Sequence, residues 1–237
     1  MSKHDNERTF DVKARPEALL ADYHRPMKRR GILTAARAGS IVLVVAAIVA
    51  QAVVLADAGA FDPTRFFAFF TILSNLIGVA AFLWLLAMGA RPRSRSLDLV
   101  RGAAVVYLTV TFFVVIFLLS GVDVQLQLVW VDVVLHKIFP IIVVLDWILD
   151  PPRTRLRFRD GLLWLAFPLA WTGFTLVRGA MDGWYPYPFL DPAHGGYGTV
   201  AVMVIAVTIG FALIAAATIA VGNRARESSP SSADGVA

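Results

Sequence analysis

The sequence contains no cysteine. Disulfides, thiolate catalysis and iron–sulfur ligation are therefore excluded. Charge is scarce as well: Asp, Glu, Lys and Arg make up 16% of the 237 residues, against roughly 25% in ordinary soluble domains. The four histidines, His4, His24, His136 and His194, lie far apart and none falls in a metal-ligand spacing, so no metal or other cofactor is expected. No glycine-rich phosphate loop, zincin signature or GxSxG elbow occurs. No internal repeat relates the two halves, so the repeat architecture of many transporters finds no support here.

What the sequence does have is apolar length. Hydrophobic residues are 58% of the chain and mean hydropathy is +0.69. Runs of the ~20 residues needed to cross ~30 Å of hydrocarbon recur six times: about Ile32–Leu55, Phe66–Met88, Gly102–Ser120, Leu128–Asp150, Gly161–Leu176 and Gly198–Val221. This reads as an all-α, polytopic integral membrane protein with six transmembrane helices. Residues 1–31 form a polar N-terminal segment, 32–222 the transmembrane domain and 223–237 a disordered tail. The first apolar run is not followed by a small-residue cleavage pattern and reads as an uncleaved span.

The cations orient the spans. Nine Lys/Arg precede or open the first span, four lie between the second and third, four between the fourth and fifth, and two in the tail; these are 19 of the 22. Only Arg65, Lys137 and Arg178 fall on the other side. The positive-inside rule then places both termini in the cytoplasm of a multi-pass cell-membrane protein. The net charge of +5 is explained by this topology, and no nucleic-acid partner is expected.

Polar groups inside the spans are costly, so each is a functional candidate. The fourth span carries Asp132 and His136 four residues apart, on one helical face. Pro140 removes the helical partner of the His136 carbonyl and predicts a kink. Both Thr71 and His136 lie about six residues, ~9 Å at 1.5 Å per residue, below the outer edge. A threonine hydroxyl can attack an ester once a base takes its proton, and a histidine near neutrality can be that base with Asp132 fixing its tautomer. Equally, Thr71 can simply bond the Phe67 carbonyl one turn back, and His136 can be a buried, hydrogen-bonded side chain. Ser74 and Asn75 extend the polar face; Asn75 can serve an oxyanion or hold a neighbouring helix. Lys137 points away and snorkels to headgroups. The loop GWYPYPFLDP, with Trp184 and Tyr187, is either an interfacial anchor or a lid over substrate, and Arg178 meets either headgroups or a substrate carboxylate. His194 sits among turn residues and reads as exposed.

Thr71 in FFTILSN, His136 in VLHKIFP and the YPF motif before the last span, in this order within six spans, resemble the androgen-induced and androgen-dependent membrane hydrolases. The chain is similar to a bacterial branch of that family over about residues 32–222. The resemblance implies hydrolysis of fatty acid esters of hydroxy fatty acids, with Thr71 as nucleophile and His136 as base. A membrane lipid or fatty-acid ester is thus the expected partner; the oligomeric state is open. The residues taken alone also allow a small proton-linked transporter, or a scaffold or regulator in which Thr71 and His136 merely bond each other.

Overall fold

The computed structural model describes residues 16–119 and 128–228. Residues 1–15, Ser120 with the whole segment GVDVQLQ, and the end of the tail lie outside them. The chain divides into a first unit ending at Ala36 and a second starting at Arg37. The first is helical from Pro16 onward, where α1 (Pro16–Asp57) begins. Every regular element among the described residues is helical.

The second unit contains the rest of α1 and then α2 (Pro63–Phe66), α3 (Phe70–Met88), α4 (Arg95–Phe117), α5 (Val129–Val133), a π turn (Val134–Ile138), α6 (Phe139–Leu149), α7 (Phe158–Asp182), two short 3-10 turns and α8 (Gly196–Glu227). Five helices are long and apolar enough to cross a membrane: the part of α1 from Arg29, α3, α4, α7 and α8. α5, the π turn and α6 follow one another without a break from Val129 to Leu149.

Local chemistry sets several boundaries. Asp62 accepts from the Thr64 and Arg65 N–H groups ahead of Pro63, fixing α2. Ser94 accepts from the Leu97 N–H and starts α4. The Asp160 carboxylate takes the Arg157 N–H at 2.7 Å, and α7 stops at Gly183, whose φ of 71° suits glycine alone.

Side-chain contacts give the register. Ser74 of α3 meets Thr111 of α4 at 3.3 Å. One turn further along α3, a Cβ at Gly78 would stand 2.7 Å from Phe139 and 2.9 Å from Leu108. Thr111 and Leu108 thus descend in number as Ser74 and Gly78 ascend, so α3 and α4 are antiparallel. His136 and Phe139 ascend with α3. Trp147 of α6 donates to the Thr218 carbonyl of α8 at 3.1 Å, while Phe211 packs edge-on against Phe70. α8 therefore runs with α3.

The packing is inside-out. Ser74, Asn75 and Asp98 are fully buried, with Arg101 close behind, whereas Val49, Ile209 and Leu213 are more than half exposed. A helical protein with charge inside and hydrocarbon outside is built for a membrane.

The structure corrects several sequence boundaries. The apolar run Phe66–Met88 is not one helix, because the chain turns at residues 67–69 and α3 starts at Phe70. α4 begins at Arg95 and contains Arg101, which stands within a helix and is 2% exposed, not in a loop. α7 runs past Leu176 to Asp182 and α8 reaches Glu227, into the segment read as tail.

Candidate functional site

The early end of α3 makes the site. Thr71 is in its first turn, where backbone N–H groups have no helical acceptor, and the N-cap residue Phe69 offers no side-chain cap. The cap comes from the distant loop: the Thr71 N–H donates to the Tyr187 hydroxyl at 3.3 Å. Because residues 67–69 lie outside the helix, the Phe67 carbonyl is not one turn below Thr71. The hydroxyl instead meets His136 Nε2 at 3.1 Å and Tyr187 at 3.4 Å.

His136 completes a line of three. Its Nδ1 is 2.7 Å from Asp132 Oδ1, and Lys137 Nζ is 3.7 Å from the other carboxylate oxygen. A carboxylate only accepts, so in the neutral imidazole Nδ1 carries the proton. Nε2 is left as an acceptor facing Thr71 Oγ1. Thr71 and His136 are both buried, while the Asp132 side chain is 30% exposed. Lys137, read as snorkelling, is half exposed.

Ser74 and Asn75 stand below. The Ser74 hydroxyl donates to the Thr71 carbonyl at 3.0 Å. Asn75 Nδ2 donates to the same carbonyl at 2.8 Å and to the Leu135 carbonyl at 3.2 Å. Its Oδ1 is buried with no protein partner among the described residues.

The bend expected from Pro140 takes the form of a π turn centred on His136. The Phe139 N–H reaches five residues back to the Val134 carbonyl, widening the helix. Proline crowds the carbonyl four residues before it, here that of His136, and the wider turn relieves this.

Tyr187 is buried and stacked on Phe189, with rings 3° apart in plane and centroids at 5.3 Å. Burial pushes its phenol above the ordinary value, outweighing the hydrogen bonds to Thr71, and the group stays a neutral hydroxyl. Thr71 and Tyr187 open on one cavity of about 60 Å³, walled mostly by apolar side chains such as Val114, Leu165, Leu169 and Phe211.

Arg178 and Trp184 lie elsewhere. The Arg178 guanidinium donates to the Thr64 carbonyl at 2.8 Å and to Asp182 at 3.1 Å. Trp184 is flanked by the Arg65 and Arg178 guanidinium groups, each 5.3 Å from its ring centroid. Neither lines the cavity; together they pin the loop to α2. His194 is two-thirds exposed and 3.4 Å from Asp191.

Sequence reasoning missed two participants, Thr111 and Thr208, and placed Thr172 only at the outer end of the fifth span. Thr111, buried beside Ser74, also lines the cavity, as do Thr172 and Thr208. It missed an ion cluster at the far end too. There Asp146 accepts from Arg37 at 2.7 Å and Arg101 at 2.8 Å, and Asp150 from Arg37 at 2.6 Å and from Arg93. Asp98 accepts the Arg153 and Thr154 N–H groups at 2.8 and 3.0 Å, folding the loop DPPRTR onto α4. Burial raises the Asp150 carboxyl, but the charge of Arg93 and the bonds from Arg37 and Arg93 outweigh it and hold the group at about 2. The signal for this cluster was the presence of Arg37, Arg93 and Arg101 with Asp146 and Asp150 near one face of the spans.

Compared with models of known families, with curated proteins and with solved structures, the chain matches none.

Proposed function

We propose that this chain is an intramembrane ester hydrolase of the cell membrane, with Thr71 as nucleophile, His136 as base and Asp132 as the residue that orients the base. Val129–Leu149 supplies the sixth crossing, so that the basic ends and both termini face the cytoplasm. The observation that carries the reading is the unbroken line from Thr71 Oγ1 through His136 to Asp132, at 3.1 and 2.7 Å. Nucleophile, base and orienting carboxylate at hydrogen-bond spacing are the arrangement that acyl transfer needs.

In the reaction, His136 Nε2 takes the Thr71 proton as Oγ1 adds to the ester carbonyl. Tyr187, still protonated, turns its hydroxyl toward the oxyanion. Collapse expels the alcohol, which receives the proton from His136, and leaves an acyl-threonine. Water then adds to the acyl carbonyl, its proton passing to His136; collapse breaks the bond to Thr71 Oγ1, which takes that proton back from His136, and the acid is released. The apolar wall beside Thr71 suits a lipid ester whose chains lie in the membrane.

Apolar packing among the described residues weighs against the transporter reading. Just beneath the polar layer, Gly78, Leu108 and Phe139 pack against one another, and Phe82 closes edge-on against Phe139. The scaffold reading uses the same Thr71–His136 bond but gives no role to the tautomer set by Asp132.

The test is labelling by a fluorophosphonate probe in native membranes, with Thr71→Ala and His136→Ala as comparisons. Labelling of the wild type that both substitutions abolish, in folded protein, supports the hydrolase. A folded wild type that does not label returns the scaffold reading.

A further inference from the structure

The π turn leaves a specific main-chain debt. In an α-helix the Leu135 carbonyl would accept from the Phe139 N–H, but that group is committed to Val134. In a π register it would accept from residue 140, and Pro140 has no N–H. Neither backbone partner exists, and Leu135 is fully buried. An unpaired buried carbonyl costs on the order of 1–3 kcal/mol. Asn75 meets the need, since the amide that bonds the Leu135 carbonyl at 3.2 Å also bonds the Thr71 carbonyl at 2.8 Å. Rotating the amide by half a turn would set its oxygen against both carbonyls, so the orientation is fixed.

We infer that Asn75 is a positioning residue that clamps the His136-bearing π turn to the first turn of α3, and so sets the distance between His136 Nε2 and Thr71 Oγ1. Its two acceptors are the carbonyl of the nucleophile itself and that of the residue preceding the base. Pro140 and Asn75 act as a pair: the proline frees a carbonyl by forcing the wide turn, and the amide takes it. In kinetics the inference rests on the hydrolase reading, whereas the His136–Thr71 geometry does not.

The discriminating variant is Asn75→Ser. A helical serine still bonds the carbonyl four residues back, that of Thr71, but cannot reach Leu135, so only the link between helices is cut. The full chain, labelled with ¹⁵N-histidine in detergent micelles, is compared by NMR with the Asn75→Ser, Asn75→Asp and Ser74→Ala forms, His136 being assigned by its loss in His136→Gln. The expected result is a displaced His136 Nε2 signal in Asn75→Ser and a larger displacement in Asn75→Asp, which faces two carbonyls with a carboxylate. Ser74→Ala, which loses the bonds to Thr71 and Thr111 but none to the π turn, leaves the signal in place. Fluorophosphonate labelling falls ~10-fold or more in Asn75→Ser, since small misplacements of reacting groups are costly.

A His136 signal unmoved in both Asn75 variants overturns the clamp, as does an equal displacement in Ser74→Ala. A wild type that never labels, with the signal still moving in Asn75→Ser, removes the hydrolase and keeps the clamp. A wild type that labels, with rate and signal unchanged in Asn75→Ser, does the reverse.

Discussion

Thr71 Oγ1 and His136 Nε2 are 3.1 Å apart although 65 residues separate them in sequence. Two parallel elements bring them together: the first turn of α3 and the π turn ahead of α6. The hydroxyl bonds outside its own helix, which is unusual for a helical threonine and follows from its place in the first turn, with no helical carbonyl one turn back.

Asp132 sets which nitrogen of His136 faces Thr71. Asn at this position keeps the shape but can present an N–H to Nδ1, favouring the tautomer with the proton on Nε2. Asp132→Asn should therefore slow probe labelling by roughly 10²–10⁴ while thermal stability stays close to that of the wild type. Labelling within threefold of the wild type would remove Asp132 from the reading.

Tyr187 has two duties, capping α3 and offering a hydroxyl to the oxyanion. Tyr187→Phe preserves the stack on Phe189 but loses both. The expected outcome is a loss of ~1 kcal/mol in stability, as for other lost caps. Labelling should slow by ~10- to 100-fold, the larger effect belonging to the oxyanion role. A change in melting temperature with no change in labelling rate would leave Tyr187 as a cap alone.

The far-end cluster predicts an acid response. The Asp150 carboxyl is held at about 2, below its ordinary value of 3.8. A depressed carboxylate contributes stability that is fully present above the unfolded value and is lost as pH falls through the folded one. That contribution is ~2 kcal/mol at neutral pH for a shift of this size. The melting-temperature gap between wild type and Asp150→Asn should therefore be constant above about pH 5 and shrink between pH 4 and 2. A gap independent of pH throughout would contradict the ion-pair account.

Much of this site could be read before any fold was known, and the reasons are physical. Asp132 and His136 are on one face because four residues make about one helical turn, and Thr71 shares their depth because the rise per residue is fixed. The break at residues 67–69 was hidden in RFFAFF, an aromatic run with no glycine or proline to mark a turn. The π turn was half visible: Pro140 announced a disturbance, but only the neighbouring Asn75 shows what form it could take. Arg101 was misplaced because a charge at the start of an apolar run reads as loop until its partners, Asp146 and the Asp150 carbonyl, are seen in space. Thr111 gave no signal of its own, since a lone hydroxyl in an apolar helix normally bonds its own backbone, as it also does here with Tyr107.

The layer formed by Gly78, Leu108 and Phe139 has an electrical meaning. It is a thin insulator between a titratable group near one face and a neutralised set of ions near the other. In the proposed topology, the line from Thr71 through His136 to Asp132 is then open to one side alone, by way of the part-exposed Asp132 side chain.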